Sequence, residues 1–358
     1  MTRIAVFCDG TWNSPEIKEP TSVHELSERL VNDFSLGQLV AYFPGIGTDE
    51  RFDTKFQKFL HKYGGGAFGW GLDAKVKQAY QFICKVYQDG DEIYLFGFSR
   101  GAYTARSVAG MIRKCGIVTD TSPEGINAAF KLYRKRGRRN RPDADHIWQE
   151  RRRISPRFGT SEKDVERRND GSKVVNLAYL GVWDTVGARG IPRAVLGPVA
   201  ALWNSQYKFH DMQLSSLVKS ARHAVAIDEL RRLFKPALWN NLDDLNPGRD
   251  DPLRPYQQVW FAGNHGDVGG SGAIPQISYY PLDWILQGAG RLTMKSTAAL
   301  QGFPGDPKAG EIKRTNGLLS GWRDGPHHDW ELHPSARERV MQKPDYRPSA
   351  LHRLFPAR

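Results

Sequence analysis

The chain has 358 residues, 40% apolar and 25% charged, which excludes a wholly disordered protein and supplies enough side chains for a sizeable core. Basic residues outnumber acidic ones 51 to 39, a net charge of +12, but the excess is local, because residues 131–168 hold 14 basic against 6 acidic side chains. Every apolar run falls short of the roughly 20 residues of a membrane-spanning helix. Three cysteines, Cys8, Cys84 and Cys115, without CxxC spacing, exclude a disulfide framework and a zinc ribbon.

In chain order, residues 4–8 form a short apolar run stopped by Asp9-Gly10. It is too short for a signal-peptide core and reads as a buried strand, so the expected location is the cytoplasm. A second run at 39–43 stops at Pro44-Gly45, and Gly64-Gly65-Gly66 makes a turn. Leu72, Val76, Ala79, Ile83 and Val86 recur at helical spacing and predict an amphipathic helix over 72–88. Residues 92–96 predict a third strand, 97–101 a turn, and 102–114 a helix with Gly116 as its stop. Strand and helix alternating at this spacing call for parallel pairing, since parallel strands need long crossovers. The predicted fold is therefore α/β, a three-layer sandwich around a mostly parallel sheet.

The Arg-rich stretch at about 131–172, with Pro142, Pro156 and Gly159, breaks that pattern and reads as an inserted, solvated excursion. A strong strand is expected over 174–182, ending at Trp183-Asp184-Thr185, then irregular chain over 187–210, a helix over 214–227 and a Pro/Asp/Asn-rich loop at 236–255. The last strand is expected over 256–262, and a helix over 280–290. Beyond 301 only a polar extension with a short helix near 335–341 is expected, so the catalytic domain is assigned to 1–300 and the extension to 301–358.

The chemistry gathers at the turns after the strands. Gly97-Phe98-Ser99-Arg100-Gly101 matches the G-x-S-x-G elbow, in which small residues on both sides of a nucleophile permit a sharp strand-to-helix turn. A serine hydroxyl needs an adjacent base, itself oriented by a third group. Asp184, directly after a strand, is the best acid at the same sheet edge. Two histidines compete as the base: His265, in a glycine-rich loop after the last strand, and His223, in a helical pattern where a packing role is commoner. His327-His328-Asp329 has no strand before it and reads as surface. The amide of Arg100 and the Gly10–Thr11 turn are candidate oxyanion donors. Asp267 either braces the histidine loop or joins Asp9, Asp184 and His265 around a metal, which would make a metal-dependent phosphodiesterase. Trp12, Trp70, Trp183 and Trp203 lie near these motifs and are candidates to shape an apolar acyl site.

Several blocks, in order, carry a resemblance. They are Phe-Cys-Asp-Gly-Thr-Trp-Asn at 7–13, Tyr-Phe-Pro-Gly-Ile-Gly-Thr at 42–48, Gly-Asp-Glu-Ile-Tyr-Leu-Phe-Gly-Phe-Ser-Arg-Gly-Ala-Tyr-Thr-Ala-Arg at 90–106, Gly-Val-Trp-Asp-Thr-Val-Gly-Ala at 181–188, His-Ala-Val-Ala-Ile-Asp-Glu at 223–229, His-Gly-Asp-Val-Gly-Gly at 265–270 and a weaker His-Pro-Ser-Ala-Arg-Glu-Arg at 333–339. On these the sequence resembles the α/β-hydrolase family known as domain of unknown function 2235, to which the Tle phospholipase effectors of type VI secretion are related. The resemblance implies a Ser-Asp-His hydrolase of the esterase or lipase type, with nucleophile Ser99, acid Asp184 and base His265, and no cofactor. Where the family usually has Ser or Asp after the histidine, this chain has Gly266. An ester or lipid is the implied substrate, and a secretion system that needs no signal peptide is the implied route of export. A rival reading makes the basic 131–168 segment the working surface, for anionic membrane or, less favoured by its few aromatic residues, for nucleic acid.

Overall fold

Strands with helices on both faces have no side that must stay polar, so unbroken apolar runs mark the middle of a sheet. A computed structural model describes residues 1–10, 20–45, 67–187, 213–246, 248, 254–295, 305–315 and 320–356. Among these are strands β1 (Arg3–Cys8), β2 (Gln38–Phe43), β3 (Glu92–Phe98), β4 (Phe158–Gly159), β5 (Lys173–Val174), β6 (Leu177–Trp183), β7 (Val218–Ala226) and β8 (Tyr256–Phe261). Six of them form one sheet in the order β2-β1-β3-β6-β7-β8, with every neighbouring pair parallel, while β4 pairs with β5 apart from it. The helices include α1 (Ser22–Arg29), α2 (Ala67–Val86), α3 (Arg100–Cys115), α4 (Pro123–Arg134), α5 (Asp145–Ile154) and α6 (Glu162–Arg168). After them come α7 (Leu242–Leu245), α8 (His265–Gly269), α9 (Pro275–Ala289) and α10 (Pro334–Gln342).

The period of two along each strand sorts its side chains into two cores. Ile4, Val6, Ile93 and Leu95 pack with Val76, Tyr80 and Ile83 of α2 and Ala105, Val108 and Ile112 of α3. Ala5, Phe7, Tyr94 and Phe96 face the other way, onto Val23 and Leu26 of α1 and Leu282 and Ile285 of α9. The rings of Phe7 and Phe96 stack at 4.6 Å between centroids. Each such side chain contributes about 1.5–3 kcal/mol on burial. The sandwich is the predicted one: helix layer, parallel sheet, helix layer.

Three sequence expectations change. The helix expected over 214–227 is β7, a central strand between β6 and β8. Leu214, Leu217, Val218, Ala221 and Val225 fit a helical period, but a run buried on both faces loses the alternation that would tell strand from helix.

The Arg-rich stretch is only partly solvated. Asp164 accepts from Arg151 Nε at 2.9 Å, Arg168 Nε at 2.8 Å, Trp148 Nε1 at 2.8 Å and the Thr160 amide at 2.8 Å. All three charged groups are buried, so this segment folds around an ionic node as well as around Ile147.

The polar C-terminal stretch also has a core of its own. Leu332, Ala336, Val340, Tyr346 and Leu351 close over Val225, Ile227, Trp260 and Ala262 at the β8 end of the sheet. Its arginines and histidines make it read as polar, while these apolar residues turn to the sheet and Trp330 and Met341 stay exposed.

Candidate active site

Level strand ends build the site. β3 and β6 stay in register up to Phe98 opposite Trp183, so Ser99 and Asp184 leave the sheet side by side, about one strand spacing of 4.8 Å apart. Cys8 pairs with Gly97, which brings Asp9 to the same rim. Two strands beyond β6, β8 ends at Phe261 and His265 opens α8.

Both turns use unusual backbone. Ser99 has φ 57° and Asp184 φ 37°; with Asn169 they are the non-glycine residues among the described ones in the left-handed half of the map. Such conformations cost about 1–3 kcal/mol each and persist only where packing dictates them.

The flanking glycines show how it does so. A Cβ on Gly101 would lie 2.0 Å from the Cys8 carbonyl oxygen, and one on Gly97 would lie 2.4 Å from that of Gly101. The first turn of α3 therefore sits directly on the end of β1. Because the clash is with backbone, Gly101→Ala is expected to cost about 3 kcal/mol, the upper part of the range for overpacking. A denaturant midpoint equal to wild type would contradict this packing.

The three candidate side chains meet. His265 Nε2 lies 2.8 Å from Ser99 Oγ, and His265 Nδ1 lies 2.6 Å from Asp184 Oδ2. Ser99, Asp184 and His265 are 4%, 0% and 6% exposed, so water competes little for these bonds. The His265 ring is held between Phe98, at 4.6 Å, and the edge-on ring of Phe234, at 4.8 Å. Its backbone amide donates to Glu229 Oε2 at 3.3 Å, and Glu229 is paired in turn with Arg231.

Burial pushes the Asp184 carboxyl up, but Arg323 and the hydrogen bond from His265 outweigh it and hold the group well below the usual carboxylate range. An ionised Asp184 takes the Nδ1 proton of His265 in a hydrogen bond and leaves Nε2 as the acceptor for the Ser99 hydroxyl. Burial lowers the pKa of His265, and although Asp184 opposes this, the ring stays below its ordinary value of 6.5. At neutral pH it is therefore an uncharged base.

The remaining sequence candidates have other partners. His223 is fully buried on β7: its Nε2 accepts the Thr185 amide at 3.1 Å, its Nδ1 pairs with Gln258 Oε1 at 3.0 Å, and burial takes its pKa down to about 3. Both ring nitrogens are occupied beneath the Asp184 turn. Asp267 braces α8, accepting from the Asn264 amide at 3.0 Å while Asn264 Oδ1 accepts from the Gly266 and Asp267 amides.

Asp9 accepts hydroxyl protons from Thr21 at 2.6 Å and Tyr42 at 2.7 Å, and burial raises its pKa. Its Oδ1 also takes the Gly10 amide at 2.6 Å, so that expected oxyanion donor is turned onto Asp9. Arg100 begins α3, with its amide at the positive end of the helix. Thr11, Trp12 and Trp203 lie outside the described residues. Among the described residues no three of His, Cys, Asp or Glu are grouped as metal ligands, and Asp9 and Asp267 do not join Asp184 and His265.

The exposed basic run lies elsewhere. Arg113, Lys114, Lys135, Arg136, Arg138 and Arg141 line one hollow at the C-terminal end of α3. That end is about 20 Å from Ser99 along the helix axis, at the opposite edge of the sheet. A flat membrane touching this hollow would face away from the Ser99 rim.

Arg323, which holds Asp184, is the functional candidate that the sequence did not mark: it stands in a polar stretch without periodicity. Glu229 had a signal, as the acid that closes the 223–229 block of the resemblance.

Residues 2–288 match the model of the catalytic domain of Tle1-like phospholipase effectors of the type VI secretion system. The chain belongs to this family. The Tle1-like chain is 31% identical over 237 residues to an uncharacterized protein of Saccharomyces cerevisiae, covering 64% of this chain and 32% of that protein.

Similar solved structures include the Tle1 effector bound to the VgrG spike of the type 6 secretion system, at 16% identity and TM-score 0.37, covering 75% of this chain and 51% of that one. An uncharacterized protein from Pseudomonas aeruginosa follows, at 14% identity and TM-score 0.40, covering 85% and 47%. Zea mays acyl-protein thioesterase 2 has 12% identity and TM-score 0.32, covering 80% and 94%. The Tle1-like chain thus spans about a third of the yeast relative and about half of each of the first two neighbours. Among the described residues no helix is long and apolar enough to cross a membrane.

Proposed function

We propose that this Tle1-like chain is a serine hydrolase of carboxylic esters, with phospholipid acyl esters as its substrate class. The observation that carries this is the unbroken relay from Ser99 Oγ through His265 to Asp184, at 2.8 and 2.6 Å. The phospholipid part of the reading rests on the family description. Delivery by a type VI secretion system is likewise proposed on family membership.

In this mechanism His265 Nε2 removes the Ser99 proton as Oγ bonds to the ester carbonyl carbon. The carbonyl oxygen gains the negative charge and is held at the positive N-terminal end of α3, which Arg100 opens. The tetrahedral species collapses, the carbon–oxygen bond to the alcohol breaks, and the imidazolium gives its proton to that alcohol. Water then enters, loses a proton to His265, and releases the acyl group as an acid while the proton returns to Ser99. Asp184 stays ionised throughout.

A fluorophosphonate probe tests the assignment, since it captures only an activated serine. Wild type is expected to be labelled and Ser99→Ala to stay unlabelled. Equal labelling of both would reject the reading.

A further inference from the structure

Asp184 is bound by more than an orienting acid requires. Besides His265, its carboxylate accepts the Ala226 amide at 3.0 Å and both arms of Arg323, Nη1 to Oδ1 at 2.6 Å and Nη2 to Oδ2 at 2.9 Å. Oδ2 is the same oxygen that faces His265 Nδ1. The guanidinium also donates to the Ala226 carbonyl at 2.8 Å and the Phe234 carbonyl at 2.6 Å, and its side chain is 5% exposed.

Arg323 lies beyond residues 2–288, the part of the chain that matches the family model. The C-terminal segment that carries it is anchored independently. Gly321 donates to the Leu230 carbonyl at 2.8 Å, while Arg314 and Tyr346 both bond Asp228, at 2.8 and 2.6 Å.

We propose that Arg323 is a positioning residue for the hydrolysis: by neutralising the carboxylate that orients His265, it keeps that imidazole uncharged, and so able to act as a base, in mildly acidic medium. The inference rests on the Ser99–His265–Asp184 reading. An isolated buried carboxylate beside an imidazole stabilises the imidazolium and raises its pKa; a cation on the same carboxylate removes that pull while the hydrogen bond still fixes the ring.

The other charged groups around the ring largely cancel. Glu229, under the His265 amide, is matched by Arg231. Asp267, on the same helix, is turned into the Asn264 cap, and Asp228 behind it is matched by Arg314. Arg100, on the next element, lines a small cavity together with Asp9 and Lys75, charges of both signs. The balance at the ring therefore rests chiefly on Asp184 and Arg323, with Glu229 adding a smaller pull in the sense of Asp184. The direction of the His265 shift agrees, burial being its largest cause and Arg323 acting in the same sense.

The test is the pH dependence of kcat/KM on p-nitrophenyl butyrate, whose acidic limb reports the base of the free enzyme. In Arg323→Met the limb is expected to move up by about one pH unit, so the rate on the acid side falls about tenfold relative to the variant's own plateau. Arg323→Lys keeps the charge but loses the fork, so its limb stays near wild type while kcat falls. An unmoved limb in folded Arg323→Met overturns the proposal. Should that variant not fold, a wild-type limb at or above pH 7 overturns it just as well. If wild type neither turns over ester nor takes the fluorophosphonate, the hydrolase reading has failed instead. NMR titration of the His265 ring in wild type and Arg323→Met then still reads the electrostatic claim, with the same upward shift expected and no shift refuting it.

Discussion

Asp184→Asn is expected to lower kcat on a soluble ester by about 10⁴-fold, the scale of the tautomer effect in serine hydrolases, while leaving the fold in place. The reason lies in the number of donors around one carboxylate. Asp184 accepts from Ala226, from both arms of Arg323 and from His265. An asparagine in its place has one oxygen and one amino group. The oxygen is claimed by Arg323 Nη1 and the Ala226 amide, which can only donate, so the amino group takes the place of Oδ2, facing His265 Nδ1 and leaving Arg323 Nη2 the Phe234 carbonyl. That nitrogen becomes an acceptor, its proton moves to Nε2, and Nε2 then points a proton at Ser99 Oγ instead of taking one. The check is kcat for p-nitrophenyl butyrate beside the denaturant midpoint. A loss under tenfold in a folded variant would mean that Asp184 does not set the tautomer.

The second large effect is on stability and lies in the basic segment. Asp164→Ala is expected to destabilise the fold by about 3–5 kcal/mol, the usual cost of removing one partner from a buried ionic cluster. Arg151 and Arg168 are 1% and 3% exposed and both rest their Nε on Asp164. Without it, two guanidinium groups stay buried with only carbonyl partners, those of Pro142 and Ser155 among them. The contrast is Arg153, whose pair with Glu150 is largely exposed; Arg153→Ala should leave the denaturant midpoint close to that of wild type. Urea denaturation of the two variants checks both, and equal midpoints would mean that the node is not structural.

Much of the fold was legible because local pattern and burial agreed. The runs that became β1, β3 and β6 are apolar without alternation and end at Gly or Asp. The helices between them show a 3.6-residue period, which calls for parallel pairing. β7 was misread for a physical reason: it is buried on both faces from His223 on, and its polar residues Lys219, Ser220 and Arg222 do not alternate strictly, so residues 218–226 offer no periodicity that excludes a helix. The Arg-rich segment was misread because composition counts charges without saying which are paired, and Asp164 hides two of them.

By itself, the sequence determined the α/β architecture and the three turns that carry Ser99, Asp184 and His265. Each is written in contiguous residues: an apolar strand, a small-residue corner and a polar side chain. On residue pattern it favoured His265, in a glycine-flanked loop after a strand, over His223, and the resemblance pointed the same way. Only the tertiary structure decided which imidazole reaches the serine, since that depends on strand register: His223 falls within β7, opposite Val182, and His265 beyond the end of β8. Tertiary structure alone also brought Arg323 onto Asp184, across 139 residues of chain. Long-range contacts of this kind leave no local trace, because an arginine in a polar loop looks the same in sequence whether it ends in water or on a buried carboxylate.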